Sequence, residues 1–520
     1  MVLEAAAVDR MLGSWGVDPQ DPNEQFSTGG AISAARGEWL YDNDPIGHAI
    51  TESILRNVVG PNGLTWHSAF QADGESDDAL SEAEKSVRRK ARRSVDRATR
   101  GTRFDAAGRI LRSDMSRVIL ASALHTGSGW SIKNWRPNRP GRQVQATCWR
   151  IIHSSRICNP QFGQNTDRLI NGVALDDGGS PLGIHVMTAH PNALHPSKRF
   201  AWNFVPWYDQ SGHPQVTHQT LPRHADQIRA PSWFTSVIPL LRMFGATLQA
   251  KVVADRLKAS MGLICECDDP EEFARKDRNG AVLNGTTRIL PGKTYYVRKG
   301  TVWKTLDFQY NGADFKQWSD VLLEMVCANF GVSLDFVLQR FGQTSLAASR
   351  VGLIQAYQTF HGIQNWQIGY TEDPWNASVL IEDLARGLLT LDGDDEVEAM
   401  DRLLSGAYQR PARPMPDPLK EVQTADHWTK RMGRSYSAVY ADAGIDMSTN
   451  NVVRAQDEAD FKRHGILLAG DPKTDPNANG MAGRPAPASA PNQTAAADDT
   501  DPADKNKDAV DAEEPVGAAT

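Results

Sequence analysis

Residues 232–262 read SWFTSVIPLLRMFGATLQAKVVADRLKASMG, the longest helical stretch of the sequence, with Pro239 and Gly245 placed to kink it near its start. A second helical stretch covers 313–340. Between them, 263–310 is strand-like and carries two Asn-Gly turn signals, Asn279-Gly280 and Asn284-Gly285. A strand-rich insert between two long helices predicts an α+β fold. No run approaches eighteen apolar residues, so no membrane span is expected.

The chain has 520 residues, enough for a large core and for several domains. Its 14 Trp residues imply large buried surfaces, within a subunit or between subunits. The net charge of −7 is unevenly spread, because the residues from Leu468 onward hold ten Asp and Glu against four Lys and Arg. The body is therefore almost neutral. That argues against a general nucleic-acid coat but leaves a local DNA contact open. Five scattered cysteines do not make a disulfide framework and fit synthesis in a reducing cytosol. The start, MVLEAAAVDRMLGSWG, has no basic and apolar leader pattern.

Along the chain, residues 1–35 read as a loose polar arm. A helix is expected over 38–59 from the spacing of Ile46, Ile50, Ile54 and Val58, ending at Gly60-Pro61. The segment GLTWHSAF then reads as a strand. Eight of the eighteen residues from Ser86 to Arg103 are basic, which fits either a solvated helix or a DNA-binding one. Residues 108–126 are expected to be helical. Residues 143–186 turn to strands, with a hairpin at 176–179. Helices are also expected over 350–367, over ASVLIEDLARGLLTL, and as a small unit at 417–469. The last fifty residues, rich in Ala, Pro and Asp, are expected to be disordered.

A search for reactive groups returns no catalytic, cofactor or metal set. PGKT at 291–294 has Thr287 where a phosphate-binding loop needs Gly. TGSGW at 126–130 has Thr126 and Trp130 where a nucleophile elbow needs Gly. Cys265 and Cys267 have no second pair, and His190 and His195 flank a Pro-rich turn. The acidic clusters Asp268-Asp269 and 392–396 sit in turn-like sequence.

Six segments resemble, in order, the lambda-type family of portal proteins of tailed bacteriophages. They are RGEWLYDNDPIGHAITESILRNVVGPNGL (36–64), NGVALDDGGSPLGIHVMTAHP (171–191), RHADQIRAPSWFTSVI (223–238), LPGKTYYVRKG (290–300), ANFGVSLDFVLQRFGQTSLAASR (328–350) and DPLKEVQTADHWTKRMGRSYSAVYADAGID (417–446). The chain departs from the family pattern at Ala174, where Glu is usual, at Ala230, where Gly is usual, and in lacking the Asp and double Ser before Arg350.

The resemblance implies a non-enzymatic ring, expected to be a dodecamer, at the capsid portal vertex of a virion made in the bacterial cytoplasm. Double-stranded DNA would pass through it. The large terminase subunit, the head-tail adaptor, and capsid and scaffolding proteins would be its partners, with no membrane. It also implies a portal fold. This would comprise a flexible N-terminal arm (1–35), a mixed α/β wing (36–231 and 351–416), stem helices (232–262 and 313–340), a small α/β clip (263–312), a tunnel loop (341–350), a helical crown (417–469) and an acidic tail (470–520). Gln343, Thr344, Ser345, Ser349 and Arg350 would line the DNA channel, small polar groups letting duplex slide without a deep binding minimum. Alternatives are a connector role for that loop, a metal-dependent nuclease, or another ring-forming head-tail adaptor.

Overall fold

The computed structural model describes residues 21–68, 82–138, 145–194, 200–267, 293–298, 312–340, 346–390, 400–401, 403–404, 406–412, 418–442 and 447–464. The chain divides into two compact units, Met1–Ser448 and Thr449–Thr520.

The arm expected over 1–35 is helical from residue 22. Asp21 caps the Asn23 amide and Pro22 opens α1 (Pro22–Asn43). Gly37, just beyond the expected arm, serves a close contact. A Cβ on Gly37 would lie 2.3 Å from the His125 carbonyl oxygen, so the bare backbone lets α1 press against α4 (Arg112–Thr126). The helix expected over 38–59 is broken at Asp44, which ends α1 and accepts from Ile46 and Gly47 at the start of α2 (Pro45–Val58). The break follows from Pro45, which has no amide to continue α1. Ile50, Ile54 and Val58 are fully buried, as their spacing predicted, and Gly60 ends the helix with φ of +71°.

After β1 (Thr65–Ser68), α3 (Glu82–Thr99) carries the basic run. It is not solvated all round, because Val87, Ala91, Val95 and Ala98 form a buried stripe. Val87, Ala91 and Val95 pack with Trp66, Leu380 and Leu403. From α4 the chain turns at Gly127 (φ +78°), whose Cβ would sit 2.0 Å from the Ala230 carbonyl oxygen. The glycine of TGSGW thus serves a close backbone crossing.

Two small antiparallel sheets follow. One has the order β3-β2-β8 and is built from β2 (Gly129–Trp135), β3 (Thr147–Ile152) and β8 (Val216–Gln219). The other, β4-β5-β6-β7, joins Leu169–Ile170, Val173–Leu175, Pro181–Met187 and Trp202–Pro206. The hairpin expected at 176–179 is present, with the Asp176 carboxylate accepting from the Gly178 and Ser180 amides. The two sheets share a core of Trp130, Ile152, Val173, Ile184 and Val216.

The helix expected over 232–262 is α5 (Ile238–Ser260). It begins later because Pro239 belongs to its first turn, where a missing amide costs nothing; Pro239 starts the helix and does not kink it. β9 (Met261–Cys267) follows at once and pairs in parallel with β10 (Lys293–Arg298). Lys293 and Thr294 of PGKT therefore lie on a strand. Both Asn-Gly turns, Asp268-Asp269, residues 392–396 and His195 lie outside the described residues.

The single helix expected over 313–340 is two, α6 (Gly312–Ala328) and α7 (Leu334–Leu338). Gly331 (φ +67°) separates them and Ser333 caps the second, accepting from the Phe336 amide. α8 (Leu346–Gln367) runs through a π-helical turn (Ile368–Glu372) into α9 (Asp373–Ala385). β11 (Gly406–Gln409) then pairs antiparallel with β1, closing residues from the two ends of this unit against each other. α10 (Pro418–Met432) and α11 (Tyr436–Asp442) complete its described helices. α12 (Met447–His464) begins two residues before the second unit and carries, within it, an Arg454–Glu458 pair one turn apart.

Candidate functional site

The helix–loop–helix formed by α6, α7 and α8 frames the sequence-predicted loop. Its apolar side is one core: Leu323, Val326, Phe330 and Val337 pack with Ala356, Phe360 and Ile363 of α8 and with Ile50, Ile54 and Val58 of α2. On the approach to the loop, Gln339 takes a left-handed conformation (φ +56°), and the Arg340 amide closes on the Asp335 carbonyl at 2.9 Å. The Arg340 guanidinium reaches back to Asp320 on α6 at 2.9 Å. This partly exposed pair contributes at most about 1 kcal/mol, but it sets the direction in which the chain leaves α7.

On the far side, α8 is held at its C-terminal end by polar contacts. Gln364 Nε2 donates to the Asn57 carbonyl at 3.0 Å, Trp366 Nε1 to the Thr220 carbonyl at 3.1 Å, and Thr371 Oγ1 to Gln219 Oε1 at 3.1 Å. Glu372 is paired with Arg112. Its N-terminal turns are less covered, with Val351 and Ile354 exposed. A recess of about 370 Å³ lies between the end of α6, the start of α7 and α8, lined by Glu324, Ser333, Asp335, Gly352 and Gln355 among others. Gly352 and Ser333 place small groups there.

Of the expected channel residues, Gln343, Thr344 and Ser345 lie outside the described residues. Ser349 and Arg350 do not belong to a loop: α8 begins at Leu346, so both sit in its first turns. The helix starts earlier than expected because LAAS is good helix-forming sequence leading into the buried face of α8. The loop expected over 341–350 is therefore no longer than 341–345.

The second feature is apolar surface. Past Leu241, α5 has no buried side chain among its described residues, although Met243, Leu248, Val252 and Val253 are apolar. α6 is apolar on two faces. Leu322, Leu323, Val326 and Cys327 point into the core, while Trp318, Val321 and Met325 form an exposed stripe at helical spacing. Trp318 stacks near Phe244 of α5, with ring centroids 6.4 Å apart. A helix apolar beyond its own core contacts is built to meet a further surface. Sequence reasoning found that these stretches are helical, overran their bounds, and missed that this chain leaves apolar side chains on them exposed.

The buried polar groups elsewhere hold the scaffold. Arg229 is fully buried without a carboxylate among the described residues. It donates to the carbonyls of Ile157 (2.7 Å), Asn171 (3.1 Å) and Ser154, and lies 4.7 Å from the Phe26 ring centroid. Burial lowers its pKa to about 10, still protonated at neutral pH. His218 stacks on Trp130 (3.6 Å between centroids) and bonds Ser128 Oγ at 3.1 Å. Ser128 is fully buried, so this Ser–His contact has no access for a substrate. Among the described residues no group of three His, Cys, Asp or Glu is placed to hold a metal ion, and no helix is long and apolar enough to cross a membrane.

The described residues thus show two helices with exposed apolar side chains and an anchored helix–loop–helix. The model of the lambda family of phage portal proteins matches residues 8–364, and the chain belongs to that family. It is 22% identical over 244 residues to the portal protein of Escherichia phage N15, covering 42% of this chain and 44% of that protein. It is 20% identical over 264 residues to portal protein B of Escherichia phage lambda, covering 47% and 49%. The chain spans about half the length of the curated relatives it matches. Among solved structures it is similar to a chain of the virion of a native gene transfer agent particle, with a TM-score of 0.40 and 13% identity over 84% of this chain and 98% of that one. A chain from the neck of the native particle gives a TM-score of 0.39 and 13% identity over 82% and 94%.

Proposed function

We propose that the protein is the portal subunit of a tailed-phage-type particle. It forms a closed ring, read as a dodecamer, at one vertex of the capsid. Double-stranded DNA is packaged and ejected through that ring. The large terminase subunit docks on it during packaging and a head-tail adaptor afterwards; capsid and scaffolding proteins surround it during assembly. On this reading the subunit is a conduit and no catalysis is assigned to it. It is made in the bacterial cytoplasm and resides in the virion.

The observation that carries the reading, beside family membership, is the bare α5 and the outward stripe Trp318–Val321–Met325 of α6. A head-to-tail ring gives every copy a neighbour on both sides and so covers such faces in each subunit equally. In this arrangement α5 and α6 with α7 are the stem, and β9 and β10 with the chain between them form the clip. The described elements from α1 to β8, together with α8 from residue 351, α9 and β11, make the wing, and α10 to α12 the crown. Residues 343–345, with Ser349 and Arg350 behind them, face the channel.

The test is electron microscopy of the purified protein together with its mass in solution. The reading expects closed rings with a channel wide enough for duplex DNA. A protein that remains monomeric in the presence of capsid and scaffolding proteins, or one that cleaves DNA with a divalent metal, would overturn it in favour of another class.

A further inference from the structure

A groove of about 580 Å³ lies between the turn at 105–110 and β3. Arg109, Arg136, Arg150 and Arg156 line it, with Ile110 and Ile151 as apolar wall. None of the four guanidinium groups has an ion pair among the described residues. Arg136 donates to the Ala106 carbonyl at 2.9 Å, and Arg156 to the Met187 carbonyl through Nε (2.9 Å) and Nη2 (2.6 Å). Arg109 and Arg150 are exposed. The one acid here, Asp105, accepts from the amides of Ala107 (3.0 Å) and Arg109 (2.8 Å). Burial opposes its ionisation, but these amides and the Arg109 charge outweigh it and hold the carboxyl below its usual range. His153, at the rim, is engaged with Glu38 at 2.9 Å. The recess is therefore strongly cationic.

The groove also contains an open strand edge. β3 lies at the edge of its sheet, and alternate residues turn their backbone outward. The outward amide of Thr147 is taken by Glu382 (2.8 Å), and that of Trp149 by the Phe104 carbonyl (2.9 Å). The Ala106 amide returns to the Trp149 carbonyl at 2.8 Å, and there the covering segment leaves. Ile151, two residues further, turns the same way, and its amide has no acceptor among the described residues.

We propose that this groove binds an extended acidic peptide segment of another protein, added as a short strand beyond Ala106. The peptide main chain bonds Ile151, and its carboxylates meet Arg109, Arg150 and the Nη1 of Arg156, whose Nε and Nη2 are held by the Met187 and Thr188 carbonyls. Strand addition supplies affinity through the backbone, and charge supplies selection. A peptide fits better than duplex DNA for two reasons. The arginines converge on one recess instead of tracking a line of phosphates, and the ionised Asp105 stands in that recess. The inference rests on these contacts and not on the portal reading.

The test uses the full-length protein and a fluorescent peptide of alternating Glu and Val, followed by anisotropy at physiological salt. The expected result is saturable binding that weakens at least about tenfold in Arg109→Glu/Arg150→Glu. Both side chains are exposed, so the fold, checked by circular dichroism, is retained. Ile151→Pro removes the outward amide together with the Ile151 side chain that lines the groove and is expected to weaken binding as well, since proline is tolerated at that kind of edge position. A Lys-Val peptide should not bind. No binding of the acidic peptide, or binding unchanged in the charge-reversed protein, overturns the proposal. So does tighter binding of a short DNA duplex that the same two substitutions abolish, which would make the groove a nucleic-acid site.

Discussion

The Arg112 guanidinium on α4 donates to the Glu372 carboxylate in the π-helical turn at 2.7 Å, and the Glu372 side chain is 1% exposed. The other carboxylate oxygen of Glu372 accepts from Ser116 Oγ. The guanidinium also lies 5.0 Å from the Phe104 ring centroid and 5.8 Å from that of Trp375. This cluster fixes the point where α8, leading from the loop, joins α9 in the core. A π-helical turn widens the helix locally, and here it carries the carboxylate that meets Arg112.

Removing one partner strands the other. Glu372→Ala is expected to cost about 3–5 kcal/mol, because a buried guanidinium loses its counter-charge. The double replacement Arg112→Met/Glu372→Leu should recover much of that loss. Urea unfolding of the three proteins checks this; equal stability of Glu372→Ala and the parent would show that the pair does not hold the junction.

Stability should fall in mild acid through His125. Its Nε2 lies 3.0 Å from Thr51 Oγ1, and the ring stacks on Tyr41 at 4.6 Å. Burial lowers its pKa from 6.5 to about 4, with Glu38 opposing the shift and His48 adding to it. The unfolded chain therefore takes up the proton first. The stability contributed by the neutral ring is complete above pH 6.5 and is lost as pH falls from there towards about 4. The loss is roughly 3 kcal/mol. His218, also lowered by burial and by nearby Arg229, adds in the same direction. Chemical denaturation at a series of pH values should show a shallower acid slope in His125→Gln than in the parent.

Assembly should be separable from folding on α5. Leu248 and Val252 are exposed in the single subunit, so Leu248→Glu/Val252→Glu should change its stability by no more than about 0.5 kcal/mol. If α5 is a subunit contact, the same change buries two charges without partners at every interface and should dissolve the ring. Light scattering reads the mass and thermal unfolding reads the fold. Intact rings in the double variant would remove α5 from the interface.

Deleting residues 343–345 should leave rings unaltered in mass while blocking retention or packaging of DNA. Arg340 still pairs with Asp320 and α8 still anchors through Phe360, so the frame survives the deletion. Normal packaging by the deleted protein would reduce the loop to a connector.

Much of the local structure was legible in the sequence, because neighbouring residues encode it. The spacing of Ile50, Ile54 and Val58 marked the buried face of α2, Gly60-Pro61 marked its end, and Asp176 with Gly179 marked the hairpin. The order of short patterns from Arg36 to Asp446 was enough to indicate the family, whose model matches residues 8–364. Capping, turn chemistry and periodicity act over a few residues, and they survive in a sequence read without its fold.

What the tertiary structure decided depends on which distant segment arrives. Gly37 of α1 marks a contact with the backbone at His125, 88 residues away along the chain. Glu372 meets Arg112 across 260 residues, and β1 meets β11 across more than three hundred. The arginines of the groove stand too far apart in sequence to form a run, and only the turn at 105–110 against β3 gathers them. The exposure of α5 is likewise invisible in its composition. An apolar helix reads the same whether its own chain covers it or a neighbour must, since burial belongs to the partner surface and not to the helix.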